Sequence, residues 1–241
     1  MDRRYFLAGG ACVLLSACSG TLGPLAYAPG EGSGLLIPQT DEPYRVKPVN
    51  LSEIPQQYRR QIVRDPTGEE PGTLVVDPGQ RYLYLVMEDG HARRYGIGVG
   101  REGFGWSGTA RVGTKRTWPK WFPPAEMQER DERAREFASG MEGGPDNPLG
   151  ARALYLFQGG KDTLYRIHGT AEPRSIGRAV SSGCIRMLNA DVIDLYDRVP
   201  VGTKVVVMPA SNPIARIGKA ISDPDADWRS GIRRLAGQPP A

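Results

Sequence analysis

Short apolar runs separated by turn residues constrain the fold of this chain more than any other feature. Between residues 72 and 100, the runs TLVVD, RYLYLVM and HARRYGIGVG alternate with the turn signals PGQ and EDG. Runs of this kind are typical of consecutive antiparallel strands. The middle run is apolar on both faces, with Leu83 and Leu85 on one and Tyr82 and Tyr84 on the other, which predicts an interior strand. With 31 glycines and 21 prolines among 241 residues, the chain is predicted to be mainly β with a few short helices.

Further strands and two helices are predicted after residue 100. The strands are TARVGTKRTW, which is either a strand pair or one bent strand, then ARALYLFQ, TLYRIHG and the closing GTKVVVMP. Residues 125–138 are strongly charged and predict a solvated surface helix, or alternatively a mobile flap over a groove. Residues 189–199 predict an amphipathic helix with Asn189 as its N-cap. Its core face is formed by residues at i, i+3, i+4 and i+7, namely Val192, Leu195, Tyr196 and Val199.

The first 18 residues are predicted to be an export signal and not part of the fold. The sequence RRYFL opens a mostly apolar stretch over residues 6–17, which is shorter than the ~20 residues of a membrane-spanning helix. The paired arginines resemble a twin-arginine signal. The sequence LSAC resembles a lipobox, in which cleavage precedes the cysteine and Cys18 is acylated. An ordinary signal peptide cut after Ala28 is the alternative.

The remaining chain divides by composition into three parts. Residues 19–71 are rich in glycine and proline and are predicted to be a tether and approach segment. Residues 72–209 contain the strands and form the predicted catalytic domain, and residues 210–241 are a polar tail. The net charge of +4, from 31 basic and 27 acidic residues, and the lack of a basic stripe interleaved with aromatic residues argue against a nucleic-acid partner.

One thiol remains after export. Cys12 leaves with the signal and Cys18 is lipidated, so Cys184 has no internal disulfide partner in an oxidising compartment. It is therefore either buried and inert or kept for its chemistry. His168, one of two histidines, precedes it by 16 residues at the end of a predicted strand. An imidazole that lowers the pKa of a thiol and accepts its proton gives the minimum for acyl transfer.

Neighbouring residues fit the same chemistry. Gly169 and Gly183 allow close backbone approach beside the histidine and the cysteine. Backbone amides of Gly183 and Cys184 are candidates for holding a developing oxyanion. Arg186 is a candidate for binding a carboxylate through two hydrogen bonds. From these residues alone, a buried structural cysteine remains the open alternative.

The segments IHGT and SSGCIRMLNADVIDLYDRV resemble the YkuD family of L,D-transpeptidases, of the ErfK/YbiS type. The resemblance covers about residues 72–209 and includes VDPGQRYLYLV, WPKWFPP and GGPDNPLGARALYL. It implies a YkuD-like β-sandwich or barrel-like domain with the catalytic loop at one end, and no metal or organic cofactor. It also implies a role for each site residue: Cys184 as nucleophile, His168 as general base and acid, the Gly169 carbonyl as the group orienting His168, and Gly183 as an oxyanion-hole amide.

The resemblance gives less definite roles to the flanking residues. Arg186 would order the site or hold a substrate carboxylate, with a structural salt bridge as the alternative. Ser181 and Ser182 are predicted to lie at the substrate, or Ser181 to hydrogen-bond locally. Ser182 stands where the family often has a histidine, which leaves His168 as the sole candidate base. The other histidine, His91, follows a hairpin turn and is expected to be exposed.

The implied reaction is acyl transfer on peptidoglycan stem peptides. Cys184 would attack the bond before the terminal D-alanine of a tetrapeptide stem and pass the acyl group to an amine of another stem or of an outer-membrane protein. The alternatives are a hydrolase, acting as an L,D-carboxypeptidase or a de-tethering enzyme, and a non-catalytic wall-binding lipoprotein. The expected location is the periplasm, with a lipid anchor at Cys18 in the outer membrane more than the inner.

Overall fold

The computed structural model describes residues 35–36, 42–100, 106–181 and 184–211, and only the backbone of residues 35, 36, 180 and 181. The predicted signal, the lipobox cysteine and most of the polar tail lie outside these ranges. The strands are β1 Leu35–Leu36, β2 Val49–Asn50, β3 Gln61–Arg64, β4 Leu74–Asp77, β5 Tyr82–Val86, β6 His91–Gly96, β7 Val99–Gly100, β8 Gly108–Thr117, β9 Arg152–Gln158, β10 Lys161–His168, β11 Ala179–Ser181, β12 Ile185–Arg186 and β13 Lys204–Val207. The α-helices are α1 Ala125–Arg130, α2 Glu132–Glu136 and α3 Asn189–Arg198. Short 3-10 turns occur at Leu51–Glu53, Gln56–Tyr58 and Pro173–Ser175.

Nine strands form one mixed sheet in the order β12-β10-β9-β8-β13-β4-β5-β6-β3. Neighbouring strands are antiparallel except for the β10/β12 and β13/β4 pairs, which are parallel. The predicted meander is present as β4, β5 and β6. The closing strand β13 lies in the middle of the sheet, between β8 and β4. The mainly β prediction is therefore confirmed.

Side chains from both halves of the sheet meet in one core, so the sheet curves around it. Leu83 and Tyr95 belong to the same buried cluster as Leu154 and Ile167. On the other face of β5, Tyr84 packs in a separate cluster with Val75 and Val86. The prediction that β5 is an interior strand with two apolar faces is thus confirmed.

The helix α3 covers the main core with the face that its spacing predicts. Val192, Leu195 and Val199 are buried in that core, and Tyr196 packs against it. The Lys115 ammonium on β8 donates to the carbonyl oxygens of Tyr196 and Val199 at 2.6 and 2.7 Å. These bonds satisfy carbonyl groups that the end of a helix leaves without partners.

Within the predicted approach segment, a 3-10 turn at Gln56–Tyr58 is followed by strand β3, which pairs with β6. Two local expectations need correction. Residues 125–138 form two short helices, since Asp131 is extended and caps the second one through the Arg133 amide. Asn189 is the first residue of α3, not its cap, and its side chain binds elsewhere. In helices α1 and α2, only Ala134 is buried, which agrees with the predicted solvated surface helix.

The part of the predicted approach segment that the structure describes is folded onto the domain. Glu42 accepts hydrogen bonds from Trp118 and Arg152, and Ile54 is 1% exposed within a small apolar cluster. No helix among the described residues is long and apolar enough to cross a bilayer.

Candidate active site

Two parallel strands bring the histidine and the cysteine motif together. In the β10/β12 pair, Ile167 lies opposite Ile185 and His168 lies opposite Arg186. Both isoleucines are fully buried in the core. Because side chains alternate along a strand, His168 and Arg186 point to the other face of the sheet. The pairing therefore brings the segment that follows Cys184 alongside the end of the strand that carries His168.

The His168 ring is buried and fixed by its neighbour. It is 4% exposed, and its Nδ1 lies 2.6 Å from the Gly169 carbonyl oxygen. A carbonyl only accepts, so Nδ1 carries the hydrogen and Nε2 is left able to accept a proton. Burial, aided by the charge of Arg186, lowers the pKa of His168 to about 4. The ring is therefore neutral at pH 7.

Cys184 is half-buried and protonated at neutral pH. Burial raises the pKa of its thiol, and a backbone hydrogen bond from Arg166 and the charges of Arg166 and Arg186 oppose that change. Burial raises the pKa of Tyr165, and the nearby Cys184 adds to that change. Tyr165 stacks on Trp106 with ring centroids 5.5 Å apart. The thiol is thus close enough to Tyr165, Arg166 and Arg186 to interact with them electrostatically.

Arg186 forms a salt bridge at the surface of this face. Its Nη1 donates to Glu172 Oε2 at 2.9 Å, and the Glu172 side chain is 73% exposed. Its backbone pairs with Gly98 through bonds of 2.8 and 2.9 Å. This contact is a salt bridge of the kind given above as the structural alternative for Arg186. Because Glu172 is exposed, the guanidinium remains within reach of solvent.

The predicted serine and glycine contacts fall mostly outside the described residues. The backbone of Ser181 ends β11 and pairs with Gly100, while its side chain is not among the described atoms. Ser182 and Gly183 lie in the gap between the described ranges. His91 is the first residue of β6 and is exposed beside Asp89, as predicted for a residue after a hairpin turn.

Asn189 is a structural residue of the site that sequence reasoning assigned to a helix cap. Its Oδ1 accepts from the Ala151 amide at 2.9 Å, and its Nδ2 donates to the Thr170 carbonyl at 3.1 Å. A Cβ at Gly169 would lie 2.1 Å from Oδ1, and one at Gly150 would lie 2.2 Å from it. The two glycines were the available signal, because they leave the space that the Asn189 amide occupies. Asn189 thereby ties the start of β9 to the residues after His168.

Across the described ranges, no three side chains of the His, Cys, Asp or Glu type lie together as a metal site would require.

Comparison with known proteins identifies the class. Residues 71–207 match the YkuD family, an L,D-transpeptidase catalytic domain. The chain is 38% identical over 177 residues to the probable L,D-transpeptidase YbiS of Escherichia coli K12, covering 71% of this chain and 52% of that protein. It is 35% identical over 162 residues to the probable L,D-transpeptidase ErfK/SrfK of the same strain, covering 64% and 48%. The chain thus spans about half the length of the curated relatives it matches.

Two solved structures add to these matches. A Brucella melitensis structure, described as a probable carnitine operon oxidoreductase, is 54% identical and covers 66% of this chain and 99% of its own, with a TM-score of 0.45. An L,D-transpeptidase structure from Mycobacterium smegmatis is 18% identical and covers 56% and 58%, with a TM-score of 0.42. The family match and the curated relatives establish that the chain belongs to the YkuD family of L,D-transpeptidase catalytic domains.

Proposed function

We propose that the protein is a peptidoglycan L,D-transpeptidase that uses Cys184 as its nucleophile. The observation that supports this proposal is the pairing of β10 with β12, which brings a buried neutral imidazole, whose Nδ1 is held by the Gly169 carbonyl, alongside the segment that follows Cys184. Membership of the family supports the reaction class.

The proposed first step consumes a tetrapeptide stem. Nε2 of His168 takes the thiol proton while the Cys184 sulfur attacks the carbonyl carbon of the third residue. Backbone amides of Gly183 and Cys184 stabilise the oxyanion. When the tetrahedral intermediate collapses, the bond to D-alanine breaks, His168 returns its proton to the leaving amine, and a thioester remains on Cys184.

The second step reverses these roles. An incoming amine attacks the thioester carbonyl and loses a proton to His168, the C–S bond breaks, and Cys184 is regenerated as a thiol. The acceptor we propose is a side-chain amine of another stem or a lysine of an outer-membrane protein. Arg186, at the surface of the same face, would bind the carboxylate of the stem, with Ser181 and Ser182 lining the path.

Two other functions remain as outcomes of the test. Water as acceptor would make the protein an L,D-carboxypeptidase or a de-tethering hydrolase. A wall-binding lipoprotein without turnover would keep the fold and lose the chemistry. For all three, the sequence features of residues 1–18 support export to the periplasm with a lipid anchor at Cys18.

The test uses the mature chain and a disaccharide-tetrapeptide. We expect a transient acyl adduct in the intact mass and release of D-alanine, both abolished in Cys184→Ala. His168→Ala should reduce turnover by about 10²-fold or more, since general base catalysis contributes about that much. Products then separate a cross-linked dimer, a tripeptide and a protein conjugate. Absence of both adduct and D-alanine release with the wild-type chain would refute the proposal.

A further inference from the structure

The loop over residues 169–178 sets two contacts of the candidate site. It begins at Gly169, whose carbonyl holds Nδ1 of His168, and it carries Glu172, which pairs with Arg186. Its far end is tied to the strand region by the bond from the Gly177 amide to the Ile97 carbonyl at 3.0 Å. We call this segment the histidine loop. This loop therefore supplies one contact to the His168 imidazole and one to the Arg186 guanidinium.

Residues 49–60, here called the brace, pack against the histidine loop. Val49 and Ile54 of the brace are buried in one cluster with Ile176 of the loop and Leu188, and Tyr58 packs on that cluster. Leu188 follows Met187, whose amide donates to the His168 carbonyl at 2.8 Å. The brace therefore touches both chain segments that flank the site.

Tyr58 occupies a space that two glycines leave open. A Cβ at Gly177 would lie 2.3 Å from the Tyr58 ring, and one at Gly96 would lie 2.2 Å from the Tyr58 carbonyl oxygen. Gly177 also has a φ of 79°, which other residues adopt only with strain. Two positions further along from Gly96, Gly98 pairs with Arg186. Tyr58 thus packs between the histidine loop and the segment from Gly96 to Gly98, whose backbone pairs with β12.

Charged contacts link the same segment to α3. The Arg60 Nη1 lies 3.0 Å from Asp194 Oδ2, and its Nε lies 3.6 Å from Asp191 Oδ1. The Arg60 and Asp194 side chains are only 20% and 17% exposed. The brace is therefore fixed at both the loop and the helix that follows the cysteine motif.

We propose that the brace is a positioning element of the active site, with Tyr58 as its principal positioning residue. It precedes the family-matched residues 71–207, so the match does not account for it. Tyr58 acts through the histidine loop: it fixes where the Gly169 carbonyl and Glu172 stand. The proposal rests on the proposed function only for its effect on turnover, because its effect on the His168 ring is independent of activity.

The first measurement follows the imidazole directly in the full chain. With two histidines in the sequence, ¹⁵N-labelled histidine gives separable signals for His168 and His91. The wild type should show a neutral ring with the hydrogen on Nδ1 over the range from about pH 5 to 8. Tyr58→Ala should give a mixture of tautomers and a His168 pKa closer to the ordinary value, because the loop that carries the Gly169 carbonyl is no longer packed against Tyr58 at its far end. Unchanged His168 signals in Tyr58→Ala would overturn the proposal, whatever the turnover.

The second measurement separates positioning from stability. Tyr58→Ala should lower kcat for D-alanine release by about 10- to 100-fold with a smaller change in KM, the scale expected of a displaced catalytic group. Tyr58→Phe keeps the ring and should stay near wild type. Val63→Ala truncates a side chain that packs against the Tyr84 cluster on the other face of β5. This variant should lower the melting temperature without lowering kcat. If Val63→Ala lost as much kcat as Tyr58→Ala, the effect would be one of stability and the proposal would fail.

A second variant covers the case in which Tyr58→Ala does not fold. Gly177→Ala adds a methyl group against the Tyr58 ring from the loop side, and it should disturb the His168 tautomer in the same direction. A wild type that releases no D-alanine but shows the tautomer change in these variants would refute the proposed function and leave the brace in place.

Discussion

Cys184 and His168 are both uncharged at pH 7, and we refer to them as the neutral pair. The sequence alone suggests that an imidazole lowers the pKa of the thiol, yet burial raises the pKa of Cys184 and lowers that of His168 to about 4. A thiolate–imidazolium pair is therefore disfavoured before substrate binds. In the proposed mechanism the proton moves to Nε2 only as the sulfur attacks.

This neutral pair predicts how the thiol reacts with iodoacetamide. A raised thiol pKa means little thiolate at pH 7, so alkylation of Cys184 should be slow there and should increase only above the pH range in which an ordinary cysteine ionises. His168→Ala should change the rate at pH 7 little, since His168 carries no charge that stabilises thiolate. The measurement is the alkylation rate of the Cys184 peptide by mass spectrometry. A rate plateau between pH 5 and 7 that His168→Ala removes would contradict the neutral pair.

The first turn of α3 contains a carboxyl group in an unfavourable place. Asp191 is 1% exposed, and neither of its oxygens has a hydrogen-bond partner in the described part of the chain. Burial raises the pKa of Asp191 to about 6, against the opposing charges of Arg60 and Arg93. One turn later, Asp194 accepts hydrogen bonds from Tyr95 and Arg198, and its pKa is lowered to about 2. In helix α3, ionised Asp191 therefore destabilises the folded state, and ionised Asp194 stabilises it.

We predict that Asp191→Asn stabilises the protein at pH 8 and not at pH 4. The folded-state pKa of Asp191 lies above its unfolded value of about 3.9, so ionisation costs stability as pH rises from about 4 to 6, and the cost persists above that. Its size is roughly 2–3 kcal/mol from the two-unit shift. The measurement is urea unfolding at pH 4, 6 and 8. An equal change in the free energy of unfolding at all three would show that the pKa of Asp191 is not raised by folding, and a destabilisation that grows with pH would show the sign to be wrong.

Asp194→Asn is the matched control on the same helix. Its lowered pKa contributes stability above about pH 4 that is lost as pH falls toward 2. The substitution should therefore destabilise the protein at pH 6 and 8. Two neighbouring carboxyls with opposite effects exclude a general response of the helix to losing charge.

Asn189 connects three elements, and its removal should affect both folding and turnover. Asn189→Ala leaves the Ala151 amide and the Thr170 carbonyl without their partner, at a cost of about 1–3 kcal/mol for each buried group left unsatisfied. Asn189→Asp keeps the acceptor for Ala151 but turns a carboxylate oxygen toward the Thr170 carbonyl oxygen, so it should not restore wild-type stability. Urea midpoints and the kcat for D-alanine release measure the two effects. Wild-type values of both in Asn189→Ala would refute this role.

At the scale of the whole chain, local pattern predicted the elements but not where they meet. Leu83 and Tyr84 revealed an interior strand, and Val192 and Leu195 revealed the buried face of α3, because alternation and helical spacing are local properties. The central position of β13 depends on pairing with β4 far away in sequence, which no local pattern encodes. The same is true of β3, whose strand conformation depends on its pairing with β6.

The same distinction applies to the candidate site, where the sequence predicted some features and long-range packing produced the others. The motif and the family resemblance predicted that His168 and Cys184 belong together and that the Gly169 carbonyl faces His168. The direction of their pKa changes, the Asn189 bridge and the brace all arise from burial and long-range packing. Each is a property of the folded chain that one sequence does not display.

The last prediction concerns where the folded unit begins. The Glu42 carboxylate accepts from Trp118 Nε1 at 2.7 Å and from Arg152 Nη1 at 2.9 Å, and the Glu42 and Arg152 side chains are only 7% and 9% exposed. The Arg152 carbonyl accepts from the Gly169 amide at 3.0 Å, so this buried pair lies beside the histidine loop. Glu42→Ala leaves a buried guanidinium without its charge partner and should cost about 3–5 kcal/mol.

Truncation extends the same argument. A chain that begins at residue 35 keeps strand β1, which pairs with β2, together with Glu42 and the brace, and should unfold at the wild-type urea midpoint. A chain that begins at residue 71, the start of the family match, loses all three and should unfold at a much lower midpoint or not fold. Glu42→Gln, which keeps the shape and one acceptor, should lie between wild type and Glu42→Ala. If the chain from residue 71 unfolded at the wild-type midpoint, residues 35–70 would be dispensable for folding.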